Sequence, residues 1–152
     1  MTDWSTRLTE LGIELPQVVA PLAAYVPAVR TGNLVYTAGQ LPISGGELLA
    51  SGKVGAEISA EEAKDLARVC ALNALAAIDA LVGIDSVVKV VKVVGFVASA
   101  PGFGGQPGVI NGASELFGEV FGEAGAHARS AVGVSELPRN APVEVEVIAE
   151  VS

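Results

Sequence analysis

A chain of 152 residues is the length of one domain with a single core, and it carries 51% hydrophobic but only 17% charged residues, with a mean hydropathy of +0.53. The net charge of −8 argues against nucleic acid as a main partner, because phosphate binding is driven by lysine and arginine and the nine here are scattered. So little charge does not cover so much apolar residue in a monomer, so either both faces of a sheet are buried or subunits associate; association is the expectation.

The single cysteine, Cys70, excludes an internal disulfide and sits in an apolar helical run, as a buried thiol would. One histidine and no second cysteine give no recognisable metal site. The N-terminal MTDWSTRLTELG lacks an apolar stretch of signal-peptide length, and the longest apolar run, around 87–100, is interrupted by Lys89 and Lys92. No membrane association is expected, and the cytoplasm is the expected location.

Trp4, Leu8 and Leu11 stand at helical spacing before Gly12, which predicts a short helix in an N-terminal extension over 1–19. Leu15 to Pro27 holds three prolines and reads as an irregular lead-in that carries Tyr25. Asn33 to Leu41 reads as a strand in which Gly39 marks a bulge or a close backbone approach, and Pro42 ends it. After the Gly45–Gly46 turn, Leu48 to Glu57 reads as a weaker edge strand. Ser59 to Leu81 is the clearest helix: Ser59 and Glu62 form a capping box and Gly83 is a stop. Asn73 lies in its apolar stripe and needs backbone hydrogen bonds.

Ser86 to Ser99 is dense in valine, which argues for a long strand buried on both faces. The Gly- and Pro-rich loop at 100–108 has no phosphate-binding pattern, and Pro107 suits the first turn of a second helix that Gly125 closes. His127 to Val151 then reads as two strands joined by a Pro-punctuated turn, with Val143, Val145 and Val147 alternating with Glu144 and Glu146. If these two runs pair about a turn near Glu136 and Leu137, Arg129 falls opposite Glu144. That pair is either a structural ion pair or an arginine fork for a carboxylate ligand beside a water-holding carboxylate. The pattern as a whole predicts a single α+β domain over 1–152: one mixed sheet with two helices on one face, its other face covered in a trimer.

From about Ala20 to Val151 the chain resembles the RidA/YjgF family of small trimeric proteins. The resemblance is carried by APLAAYVPAVRTGNLVYTAGQLP at 20–42, ALNALAAI at 71–78, VVKVVKVVGFV at 87–97, VINGASELF at 109–117 and HARSAVGVSELPRNAPVEVEVIA at 127–149. It implies a chorismate-mutase-like fold, a homotrimer with clefts between subunits, and cofactor-independent hydrolysis of small reactive 2-imino acids to 2-keto acids and ammonia. Arg129 matches the arginine that grips the substrate carboxylate, and Glu144 the carboxylate near the attacking water. Tyr25, Gly39, Gln40 and Asn111 match positions lining the cleft, and Ser130 stands where the family often has cysteine. Two further departures are Ala38 for the serine before Gly-Gln and His127 for the proline before Ala-Arg. The carboxylate anchor is kept. Beside this reading stand a carboxylate-binding trimer without turnover and an endoribonuclease, the latter opposed by the charge of −8.

Overall fold

The computed structural model describes residues 3–21 and 23–152. In chain order the elements are α1 (Trp4–Glu10), β1 (Ala28–Thr31), β2 (Leu34–Thr37), β3 (Ile43–Ser44), β4 (Glu47–Leu48), α2 (Ala60–Val82), β5 (Val87–Ala98), α3 (Gln106–Phe121), β6 (Ala128–Val134) and β7 (Val143–Val151). Five strands form one mixed sheet in the order β1-β2-β7-β5-β6; all neighbours are antiparallel except β5 and β6, which run parallel with α3 as their crossover. This is the expected α+β arrangement, with α2 and α3 packed on the sheet and α1 added at the end of α3.

The alternation in β7 sorts the sheet into two faces. Val143, Val145, Val147, Ala149 and Val151 are buried, while Glu144, Glu146, Ile148 and Glu150 between them are half-buried. Register carries this division to β5, where Val93 and Val97 lie beside Val147 and Val143 under the helices, and Val94 and Phe96 lie beside Glu146 and Glu144 on the open face. Phe117, Leu116 and Ile110 from α3 and Leu75 and Ile78 from α2 fill the space between helices and sheet. Each such buried side chain contributes about 1.5–3 kcal/mol of burial free energy.

Ser59 caps α2 through its Oγ, which accepts from Glu62 N at 3.1 Å, and Gly83 ends the helix with φ +82. Two glycines set the spacing of the layers. A Cβ on Gly112 would stand 2.0 Å from the Lys64 carbonyl oxygen, so α3 approaches α2 only because that position is bare; one on Gly95 would strike Ile110 at 2.4 Å. Trp4 ties α1 down by donating from Nε1 to Val87 O at 2.7 Å and by an edge-on contact with Phe121 at 5.0 Å. Cys70 is buried, as expected, with burial as the main cause lifting its thiol well above the usual range and Glu144 adding to it. Among the described residues no helix is long and apolar enough to cross a membrane.

Three expectations need correction. Just past the 15–27 lead-in stands β1, an unexpected strand, which pairs with β2 through a two-residue hairpin turn; Gly32 takes φ +56 at its first central position, where such loops favour glycine. Residues 48–57 do not form an edge strand: Ile43–Ser44 and Glu47–Leu48 make a separate small hairpin, and Val54 makes only isolated bridges. Most importantly, β6 and β7 are not a hairpin. β5 lies between them, because the parallel β5–β6 pairing leaves the other edge of β5 to β7. Arg129 is therefore not opposite Glu144.

Candidate functional site

Arg129 pairs in register with Val93 and so faces the helices; Glu144 pairs with Phe96 and faces the other way. The expected residues form two groups: Arg129 and Asn111 lie on the helix side of the sheet, and Glu144 and Ser130 on the open side with Gly39 against Glu144. Gln40, paired with Val145, points to the helix side next to that contact.

The first group lies where α3 meets the edge strand β6. Asn111 and Ser114 are three residues apart on α3 and share a face. Arg129 donates from Nη1 to Asn111 Oδ1 at 2.8 Å and to Ser114 Oγ at 3.3 Å. Its Nε and Nη2, one full edge of the guanidinium fork, have no acceptor among the described residues. An arginine held by one nitrogen with its side edge unpaired is arranged to take a planar carboxylate through two parallel hydrogen bonds. His127 completes the group: Nε2 lies 2.8 Å from Ser114 Oγ, Nδ1 lies 2.6 Å from Gly125 O, and the ring meets Phe117 edge-on at 5.9 Å. A histidine at a loop end reads from sequence as a partner of the preceding helix terminus, and the Gly125 contact is of that kind. The link to Ser114 is not legible there, since Ser114 alone is one more small residue on α3.

The second group surrounds a break in the β2–β7 ladder. Tyr36 pairs with Ile148, but Gln40 pairs with Val145 by two backbone hydrogen bonds of 2.8 and 3.0 Å, a shift of one residue that makes a bulge at 37–39. The bulge drives Gly39 onto Glu144. A Cβ there would stand 2.0 Å from Glu144 Oε2, so Gly39 is the close approach its sequence setting suggests. Tyr25, Gly39 and Gln40 line one pocket together with Val19–Pro21 and Pro27. Burial lifts the Glu144 carboxyl above its ordinary value, and the neighbouring Glu146 carboxylate adds to it, which makes Glu144 a stronger base than a solvated glutamate. Ser130 pairs with Val94 and so shares the open face with Glu144, apart from Arg129 and Asn111.

Asn73 is the buried structural amide it reads as. Its Nδ2 donates to Leu41 O at 3.1 Å and Ile43 O at 2.9 Å and so holds the chain just past Gln40 against α2. Its Oδ1 has no partner among the described residues.

Comparison with known proteins bears on what these two groups are. The chain is 42% identical to Protein TCP17 of Trypanosoma cruzi over 97% of its own length and 94% of that protein. The solved structure of Atu1372 from Agrobacterium tumefaciens, a protein of unknown function, is similar with a TM-score of 0.89 and 44% identity, covering 98% of this chain and 92% of that one. E. coli TdcF, solved with bound serine, is similar with a TM-score of 0.66 and 25% identity over 90% and 94% of the two chains. A family model described as "YjgF/chorismate mutase-like, putative endoribonuclease" matches residues 5–151. With nearly the whole chain matched, and with the mixed sheet and helix layer found in its solved relatives, this chain belongs to the YjgF/chorismate-mutase-like family.

Proposed function

We propose that the chain is a hydrolase of small reactive 2-imino acids, working without a cofactor in clefts between the subunits of a homotrimer. The observation that carries this is the half-satisfied Arg129, braced through Nη1 and open along Nε and Nη2. The separation of Arg129 and Asn111 from Glu144 by the sheet supports the assembly: Arg129 and Asn111 form one wall, and Glu144 with the Gly39–Gln40 backbone and Tyr25 forms the other, supplied by a neighbouring copy. The open face suits such burial, since Val29 is 51%, Val132 42% and Tyr36 40% exposed, with Val94, Phe96 and Ile148 half-buried among them. TdcF, solved with serine, binds a molecule that carries a carboxylate.

The chemistry asks little more of the protein. Arg129 fixes the carboxylate of the substrate and so positions the adjacent iminium carbon. That carbon is already electrophilic. Glu144 takes a proton from water as the water oxygen bonds to the carbon, and the tetrahedral intermediate expels ammonia as its nitrogen is protonated. Iminium plus water gives the 2-keto acid plus ammonium, so the step balances with no other reactant.

The test is a coupled assay in which 2-aminoacrylate is generated in place and pyruvate release is followed. Acceleration over the spontaneous rate supports the reading. A trimer that binds 2-oxobutanoate yet gives no acceleration would overturn it in favour of a carboxylate-binding protein without turnover.

A further inference from the structure

A cavity of about 420 Å³ adjoins the small pocket of Tyr25, Gly39 and Gln40, shares Val19, Pro21 and Ile43 with it, and runs away from it to Asn73 and Arg139. That volume is in the range of small-molecule sites, about 300–1,000 Å³. The chemistry proposed for Arg129 and Glu144 uses none of its polar side chains.

Two of those side chains have capacity left over. Asn73 lies on the floor, 1% exposed, beside the buried Ile43. Both Nδ2 protons go to carbonyl oxygens, those of Leu41 and Ile43, and this fixes which way the amide is turned. Its Oδ1 is the one buried side-chain oxygen or nitrogen among the described residues with no partner. Bracing Leu41 and Ile43 accounts for the Nδ2 half of this side chain and not for the other half. An acceptor shut away from solvent without a donor is costly and calls for an explanation. At the rim, Arg139 is exposed, and its side chain has neither an ion pair nor a hydrogen bond among the described residues. The neighbouring carboxylate in the same turn, Glu136, is engaged by Lys53 at 3.1 Å. Between floor and rim, Val19, Pro21 and Ile43 make the wall apolar.

We propose that this cavity is a second binding site, for a small carboxylate with an apolar body and a hydrogen-bond donor at its far end. The carboxylate pairs with the Arg139 guanidinium, the body lies along Val19, Pro21 and Ile43, and an O–H or N–H donates to Asn73 Oδ1. The lone acceptor at the floor sets the class. A plain hydrocarbon end would leave it unpaired, and a second carboxylate would set oxygen against oxygen. Arg129 of the same chain stands on β6, beyond β7 and β5 from the β2 strand that leads into this cavity, so the two guanidinium groups of one chain take separate anions.

The full chain, labelled with 15N, is titrated with 3-(4-hydroxyphenyl)propionate and with 3-phenylpropionate, which lacks only the hydroxyl. The hydroxylated probe is expected to bind with a Kd below about 1 mM and to shift the Asn73 side-chain amide and the Gly45 and Gly46 backbone amides, which line the cavity. The other is expected to shift the same signals with roughly tenfold weaker affinity. Arg139→Gln is expected to weaken both probes by roughly tenfold, and Arg129→Lys neither. Equal affinities for the two probes mean that Asn73 Oδ1 takes no donor from the ligand, and overturn the inference. So does an affinity that Arg139→Gln leaves intact, a response confined to the Asn111 side-chain amide beside Arg129, or no binding of either probe at about 10 mM. The carboxylate grip of Arg129 is tested separately, by 2-oxobutanoate.

Discussion

Gly39→Ala is the smallest change that isolates the role of Glu144. The new methyl would stand 2.0 Å from Oε2, 2.8 Å from Cδ and 3.2 Å from Cγ, whereas ordinary contact begins at 3.4 Å. To go from 2.0 to 3.4 Å the carboxyl must retreat by about 1.4 Å. Glutamate ends in flexible torsions, so the side chain gives way and the bulge stays, with off-rotamer strain of about 0.5–1.5 kcal/mol. For a chain of this size that corresponds to a fall in melting temperature of roughly 2–5 °C. The effect on chemistry is larger, because a misplacement of about 1 Å in a reacting group lowers rate by about 10²-fold. In the 2-aminoacrylate assay kcat is expected to drop by roughly 30- to 100-fold. Calorimetric affinity for 2-oxobutanoate should stay within about threefold, because the Arg129 wall is untouched. Wild-type turnover in a folded Gly39→Ala protein would refute the reasoning, since the carboxyl cannot keep its place beside that methyl.

Arg129→Lys keeps the charge but loses the fork and strands Asn111, so carboxylate binding is expected to weaken by about 1.5–3 kcal/mol in calorimetry; unchanged affinity would end the reading of this residue as a grip. Glu144→Gln is expected to lower turnover by roughly 10²–10⁴ while 2-keto acid binding survives. The same variant has a pH signature. A carboxyl lifted in the folded state stabilises the chain fully below the ordinary glutamate value of 4.5 and loses that contribution as pH rises through its folded value. Glu144→Gln should therefore raise the melting temperature at pH 7 and leave it unchanged below about pH 4, and equal shifts at both would contradict the burial argument. Gly112→Ala sets a methyl 2.0 Å from a backbone carbonyl that cannot retreat without parting α2 from α3, so a loss of about 1–3 kcal/mol is expected from urea midpoints at fixed protein concentration. Val132→Lys on the open face is expected to shift the mass by light scattering from three chains towards one; a wild-type monomer at micromolar concentration would remove the trimer from the account.

Local signals were the legible ones. Ser59 and Gly83 bracket α2 to within a residue, because a cap is a contact between neighbours in sequence. The valine density of β5 and the alternation of β7 declare strands for the same reason. Strand order is different in kind. Nothing between residues 127 and 151 records that β5 takes the place between them, so two adjacent runs around a proline turn imitate a hairpin. The supposed Arg129–Glu144 pair fell with that hairpin, although each residue keeps a distinct setting of its own. Ser114 went unnoticed because its partners, Arg129 and His127, are brought to it only by the parallel β5–β6 pairing.

The strand order also has a consequence for assembly in time. β7, the last element of the chain, is the third strand of five and joins β2 to β5. Before residues 143–151 arrive, the β1–β2 hairpin and the β5–α3–β6 unit share no strand-to-strand hydrogen bonds, and each leaves an unpaired edge. Closing the sheet therefore waits on pairings of long sequence separation, such as Tyr36 with Ile148, which are slow to form because the loop between them must be closed first. Those nine residues work as a zip: a chain cut in the 135–142 connection would leave a large fragment with a vacant place between β2 and β5, and binding of the strand-length C-terminal peptide would itself be the final step of folding.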